Sequence, residues 1–133
     1  MSELFDIVIP VGPNDIDVIK TQSLFTQKYI IGYRNIYLIS SNSELKLKGC
    51  ITIQENIFPF DINLIDTIHK NKKSTPIHGS KLRSGWFLQQ LLKLYAGIVI
   101  PNILERYLVI DADTFFLKKT TFIENGKCLY NFS

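Results

Sequence analysis

Short β-branched apolar runs alternate along this chain with segments whose apolar residues recur at helical spacing. Phe5-Asp6-Ile7-Val8-Ile9-Pro10-Val11-Gly12 is nearly continuous in apolar residues and closes on Pro and Gly, the pattern of a strand buried on both faces of a parallel sheet. Gly12-Pro13-Asn14-Asp15 supplies turn chemistry, with Asn14 or Asp15 placed to cap a helix. From Ile16 to about Tyr29, the residues Val18, Gln22, Phe25 and Tyr29 fall on one helical face. Residues 35–40 read as a second strand and residues 49–53 as a third. Ile62, Ile65 and Ile68 then predict a short helix over 61–69, followed by a polar, basic loop over 70–76.

The strongest helical pattern spans residues 84–95, with Phe87, Leu91, Leu94 and Tyr95 at i, i+4, i+7 and i+8, Ser84 as its cap and Gly97 as its end. Trp86, at the start of that amphipathic stretch, could stack on a base or sugar, but a large aromatic there reads first as a core residue. Residues 106–110 form an apolar strand that runs into Asp111-Ala112-Asp113-Thr114, and a final strand is expected over 128–132. Strands alternating with helices predict an α/β fold: a Rossmann-like, mainly parallel sheet with flanking helices, in one domain over residues 1–133. Ligands of such sheets bind beyond the carboxyl ends of the strands. Two segments stand there, residues 10–15 and residues 111–114.

Composition narrows the classes. With 133 residues, 46% hydrophobic and 20% charged, the chain has the makings of an ordinary packed core, not of a disordered or collagen-like protein. Fifteen basic and twelve acidic residues leave a net charge of +3, spread along the chain, which points to neither nucleic acid nor a membrane surface as a partner. The longest apolar stretches are too short to span a bilayer, and the start carries no basic n-region; the expectation is a cytoplasmic protein. Cys50 and Cys128 lack CxxC spacing and read as reduced, structural thiols. His69 and His78 are not spaced as a metal pair.

The chemistry concentrates on Asp111 and Asp113. One residue apart after a buried strand, they would point to the same face if the extended geometry persists. Two such carboxylates repel unless a cation compensates, and Mg²⁺ or Mn²⁺ suits oxygen ligands and bridges phosphates.

At these residues the chain resembles a known family. Tyr107-Leu108-Val109-Ile110-Asp111-Ala112-Asp113-Thr114 resembles the DxD signature of GT-A-fold glycosyltransferases, which use nucleotide-diphosphate sugars. Residues 5–12 resemble the first strand of that fold, whose end holds the nucleobase. Residues 83–93 resemble the helix before the DxD strand in a poorly characterised glycosyltransferase-like group. The resemblance implies Asp113 as a direct metal ligand, and Asp111 as a ligand-contacting residue that helps hold the metal. It implies Pro10 and Val11 against the base, Asn14 or Asp15 at base or ribose, and Lys81, Arg83 and Ser84 near the diphosphate. The reaction implied is sugar transfer from a nucleotide-diphosphate donor to a glycan, lipid or protein acceptor. Only residues 114–133 follow the signature, where the family places its acceptor site and catalytic base. The chain thus resembles the donor-binding half: a piece of a larger protein, a truncated gene product, or a minimal domain completed by a second copy or a partner domain. Two other readings are open: a nucleotide-sugar-binding module without turnover, and a haloacid-dehalogenase-type phosphatase, whose DxDxT motif Asp111-Ala112-Asp113-Thr114 matches literally.

Overall fold

In the computed structural model, which describes residues 4–71, 80–124, 127 and 128, the chain opens with β1 (Phe5–Pro10), α1 (Ile16–Tyr29), β2 (Ile30–Ile31), β3 (Tyr33–Ser40) and β4 (Ile51–Gln54). It continues through α2 (Ile62–Asn71), α3 (Ser80–Val99) and β5 (Tyr107–Val109) to the short strands β6 (Thr120–Thr121), β7 (Ile123–Glu124) and β8 (Lys127–Cys128). Four strands form a sheet in the order β4-β3-β1-β5, and every neighbouring pair is parallel. This is the Rossmann-like α/β architecture expected from the alternation of elements.

The alternation of side chains across the strands explains the layers. Ile7, Ile9 and Val11 of the first strand region, with Ile36 and Leu38 of β3, pack on one face with Ile19 of α1 and with Ile110, Ala112 and Phe122. Val8, Tyr37 and Ile39 point to the other face, where Ile65 of α2 and Leu88, Leu92 and Ala96 of α3 cover them. All six residues of β1 are buried, as expected of a central strand covered on both sides.

Several local expectations shift. Helix α1 has its expected bounds, but its inner face is Ile19, Gln22, Ser23 and Thr26; Val18, Phe25 and Tyr29 are only half-buried. A 3₁₀ turn over Pro13–Asp15 leads into it, and neither Asn14 nor Asp15 makes a side-chain cap bond. Asp61 does cap α2, its Oδ1 accepting from the Leu64 N–H at 2.9 Å. Helix α3 starts at Ser80, so Ser84 is a buried residue of its second turn. Nor does Gly97 end that helix. A Cβ at Gly97 would stand 2.8 Å from the Tyr107 ring, so the glycine lets α3 press against β5.

The amino end of the sheet is tied by a buried carboxylate. Asp6, fully buried, accepts from Arg34 Nε at 3.0 Å and Nη2 at 2.7 Å, and from the backbone N–H groups of Asn35 at 3.0 Å and Leu104 at 2.8 Å. Those bonds raise the pKa of the Arg34 guanidinium against the opposing effect of burial. Cys50 is a free thiol that burial pushes up to about 11, in keeping with a structural role. Residues 72–79, which include His78, lie outside the described residues, as do residues 129–133 and the side chains of His69 and Cys128. Among the described residues no helix is long and apolar enough to cross a membrane.

Candidate functional site

The strand order reverses beside β1. From that strand the chain steps outward to β3 and β4, then returns to place β5 on its other side. In open α/β sheets the crevice at the carboxyl end of such a reversal is the ligand site. Both ladders continue past the strand ends: the Val11 N–H donates to the Ile39 carbonyl at 2.8 Å and the Ile110 N–H to the Val8 carbonyl at 3.0 Å. Since Val8 pairs with Val109, one register step on from Ile110 brings Asp111 level with Pro10. Neighbouring strands lie about 4.8 Å apart, so the two predicted segments meet at this edge.

Asp111 and Asp113 do not continue the strand. β5 ends at Val109, and the Thr114 N–H donates to the Asp111 carbonyl at 3.0 Å, closing a β-turn with Ala112 and Asp113 at its centre. Ala112 is buried in the core while both aspartates are exposed. The extended same-face arrangement is thereby corrected: burial of Ala112 anchors the turn and presents the flanking carboxylates to solvent. Gln22, buried on α1, supports the turn from beneath. Its Nε2 donates to the Thr114 carbonyl at 2.9 Å and lies 3.5 Å from that of Asp111.

Asp111 has a cation partner within the chain. Lys93 Nζ, from α3, donates to Asp111 Oδ1 at 2.6 Å, with the lysine side chain 22% and the aspartate 56% exposed. Lys81 and Arg83 belong to the first turn of the same helix, not to a segment before it, and their side chains lie outside the described residues.

At the end of β1 opens a cleft of about 550 Å³, within the usual range of small-molecule sites, and its described lining holds neither aspartate of the turn nor Lys93. Its lining includes Pro10, Val11, Asn14 and Asp15 after β1, Trp86, Leu88 and Gln89 of α3, and Ser41 and Glu55. Of the residues predicted at the ligand, Pro10, Val11 and Asp15 therefore line one cavity. Gly12 is closely approached: a Cβ there would lie 3.2 Å from Gln89 Nε2 and 3.3 Å from Asp15 Oδ2. Trp86, expected in the core, is 57% exposed and edge-on to Phe87. Glu55 has a raised pKa, chiefly from burial and secondarily from the charge of Asp61.

Among the described residues no group of three or more His, Cys, Asp or Glu side chains could hold a metal by themselves. What the turn offers is a pair of exposed carboxylates. That set fits a hard cation of the Mg²⁺ type, which takes one or two carboxylates and completes its shell with substrate phosphates and water. It does not fit a permanently held structural ion.

Lys93, Gln22 and Glu55 join the site without having been singled out in the sequence. Lys93 closes the helical segment 83–93 and could have been found as a cation on the helix nearest the acidic turn; Gln22 and Glu55 carry no local signal.

The model of DUF6492, a family of unknown function, matches residues 43–133, and the chain belongs to that family. The match takes in Trp86, Lys93, Asp111 and Asp113, while Pro10, Val11, Asp15 and Gln22 precede it. No curated protein and no solved structure matches the chain significantly.

Proposed function

We propose that this member of DUF6492 is a metal-dependent, glycosyltransferase-like domain that binds a nucleotide-diphosphate sugar at the carboxyl edge of its sheet, for transfer to a glycan, lipid or protein acceptor. The observation that carries the reading is the position of the Asp111–Asp113 turn: it stands at the reversal of strand order, level with the end of β1, whose Pro10 and Val11 line a ligand-sized cleft. The nucleoside would occupy that cleft, in contact with Pro10, Val11, Asp15 and Trp86. The diphosphate would extend toward Asp111 and Asp113. Asp111 and Asp113 would hold a divalent cation, which would supply charge neutralisation for the diphosphate leaving group, and the residues lining the cleft would orient the donor.

Trp86 is the single tryptophan of the chain, so its fluorescence reports on the cleft directly. Titration with UDP, GDP and CDP sugars in Mg²⁺ should quench or shift the emission for one nucleotide class, with reversal by EDTA. An unchanged spectrum for every donor, together with no heat of binding, contradicts the reading. Binding without sugar release in the presence of acceptors would identify a module without turnover. Hydrolysis of a phosphomonoester, with no nucleotide binding, would identify the phosphatase.

A further inference from the structure

We infer that Lys93 is the exchangeable cation of this site: it holds the Asp111 carboxylate while no divalent ion is there, and turns to the ligand's diphosphate once that ion takes the carboxylate. The inference rests on the proposed function above and names the side chain that would grip the phosphates.

Three observations converge on it. The first is the pairing itself, Lys93 Nζ to Asp111 Oδ1 at 2.6 Å, with a carboxylate open enough to solvent for an incoming ion to reach. The lysine side chain is only 22% exposed, but the carboxylate is 56% exposed and screened by water, which keeps the net strength of the pair to about 1 kcal/mol, so exchange costs little. Second, the described lining of the cleft carries the carboxylates of Asp15 and Glu55 and no lysine or arginine. A diphosphate approaching the turn therefore meets acidic walls, and its compensating charge must come from beside the cleft. Third, Lys93 follows Leu92 and stands one helical turn beyond Gln89, both of which line the cleft. Lysine chemistry suits such an exchange, because the ammonium carries three donors on a flexible stem and binds phosphate as a point charge. By contrast, a guanidinium locked in a two-point grip, as Arg34 is on Asp6, would not move between partners.

The test separates the two ligands of the exchange. Binding of Mn²⁺ alone is followed by the paramagnetic resonance of the free ion, and binding of inorganic pyrophosphate in saturating Mn²⁺ by calorimetry. Wild type is compared with Lys93→Met and Lys93→Arg. Removing a competing cation should tighten Mn²⁺ binding by Lys93→Met about two- to fivefold. Losing a charged phosphate donor should weaken pyrophosphate binding about tenfold or more. Lys93→Arg keeps the charge, so pyrophosphate binding should fall less than in Lys93→Met, while Mn²⁺ binding should not tighten because a two-point grip on Asp111 is harder to displace. Opposite signs are the signature, because a lysine that merely props the fold would depress both affinities together. Thermal unfolding checks that the methionine variant is folded, and Lys93→Gln replaces it if not. If a folded variant loses both affinities together, or changes neither, the role of Lys93 is overturned while the site stands. If wild type shows no Mn²⁺-dependent pyrophosphate binding, the proposed function itself falls, and the exchange with it.

Discussion

β1 has a carboxylate–cation pair at each end, and the two are built in opposite ways. At the amino end, Asp6 is fully buried and accepts four hydrogen bonds, two of them from one guanidinium. Beside the carboxyl end, Asp111 is 56% exposed and meets a single lysine donor. A buried carboxylate with every lone pair engaged cannot release its partner without leaving an unpaired charge in the core. Asp111, more than half exposed, keeps contact with water and can exchange its partner at lower cost, although the Lys93 side chain is itself only 22% exposed. The fold thus fixes β1, β3 and the 100–106 loop at one end and keeps a displaceable pair at the end where α/β sheets bind ligands. The same chemical pair serves structure in one place and binding in the other, and what decides is desolvation.

Breaking the buried end should have the largest effect. Asp6→Ala strands the Asn35 and Leu104 N–H groups and is expected to cost about 3–5 kcal/mol in denaturant unfolding, with any surviving folded fraction binding ligand normally. Next comes Gly97→Ala. The new methyl collides with the Tyr107 ring, so the substitution should destabilise by about 1–3 kcal/mol although alanine favours helix. Gln22→Leu removes the donor to the Thr114 carbonyl, but also removes an Oε1 that is buried without a hydrogen-bond partner. A net loss of about 1 kcal/mol is expected, together with weaker Mn²⁺ binding as the turn loosens.

At the exposed end the expected stability changes are smaller still. Asp111→Asn should alter the unfolding free energy by less than about 1 kcal/mol while abolishing metal-dependent ligand binding. Equal losses for Asp6→Ala and Asp111→Asn would erase the contrast. The smallest effect belongs to Glu55→Gln. Because burial and Asp61 raise the Glu55 pKa, the folded state favours the protonated carboxyl; its stabilisation is full below the ordinary glutamate range and is lost as pH rises through the raised value. The glutamine variant should therefore be slightly more stable than wild type at pH 7, and the advantage should vanish in acid, as read by thermal unfolding across pH.

These two ends differ also in how far they could be read from sequence. The four strands of the main sheet, the bounds of α1 and the two segments at the carboxyl edge follow from apolar runs and turn residues, because both report the same requirement for a doubly covered sheet; the two-residue strands β2, β6 and β7 carry no such run. The inner face of α1 does not. Of the predicted face Gln22 is buried, but Ser23 and Thr26 are buried with it in place of Val18, Phe25 and Tyr29, and hydrophobic periodicity does not show that Gln22 answers to a turn 92 residues away. Gly97 carries the local signature of a helix end; its use in letting Tyr107 approach depends on how the next strand packs back against the helix, which no local pattern shows. Trp86 misleads for a related reason, since apolarity alone does not distinguish a core residue from one lining an open cleft. The Lys93–Asp111 contact joins two elements whose proximity only the strand order establishes.

The central claim is that the Asp111–Asp113 turn and the neighbouring cleft form one cation-dependent donor site. Calorimetric titration of the chain and of its Asp113→Ala variant with UDP, GDP and CDP sugars, each in Mn²⁺ and in EDTA, tests this most directly. One nucleotide class should bind to wild type in Mn²⁺ only, and none should bind to a variant that melts at the wild-type temperature. Binding that survives EDTA, or that survives Asp113→Ala, would contradict the claim.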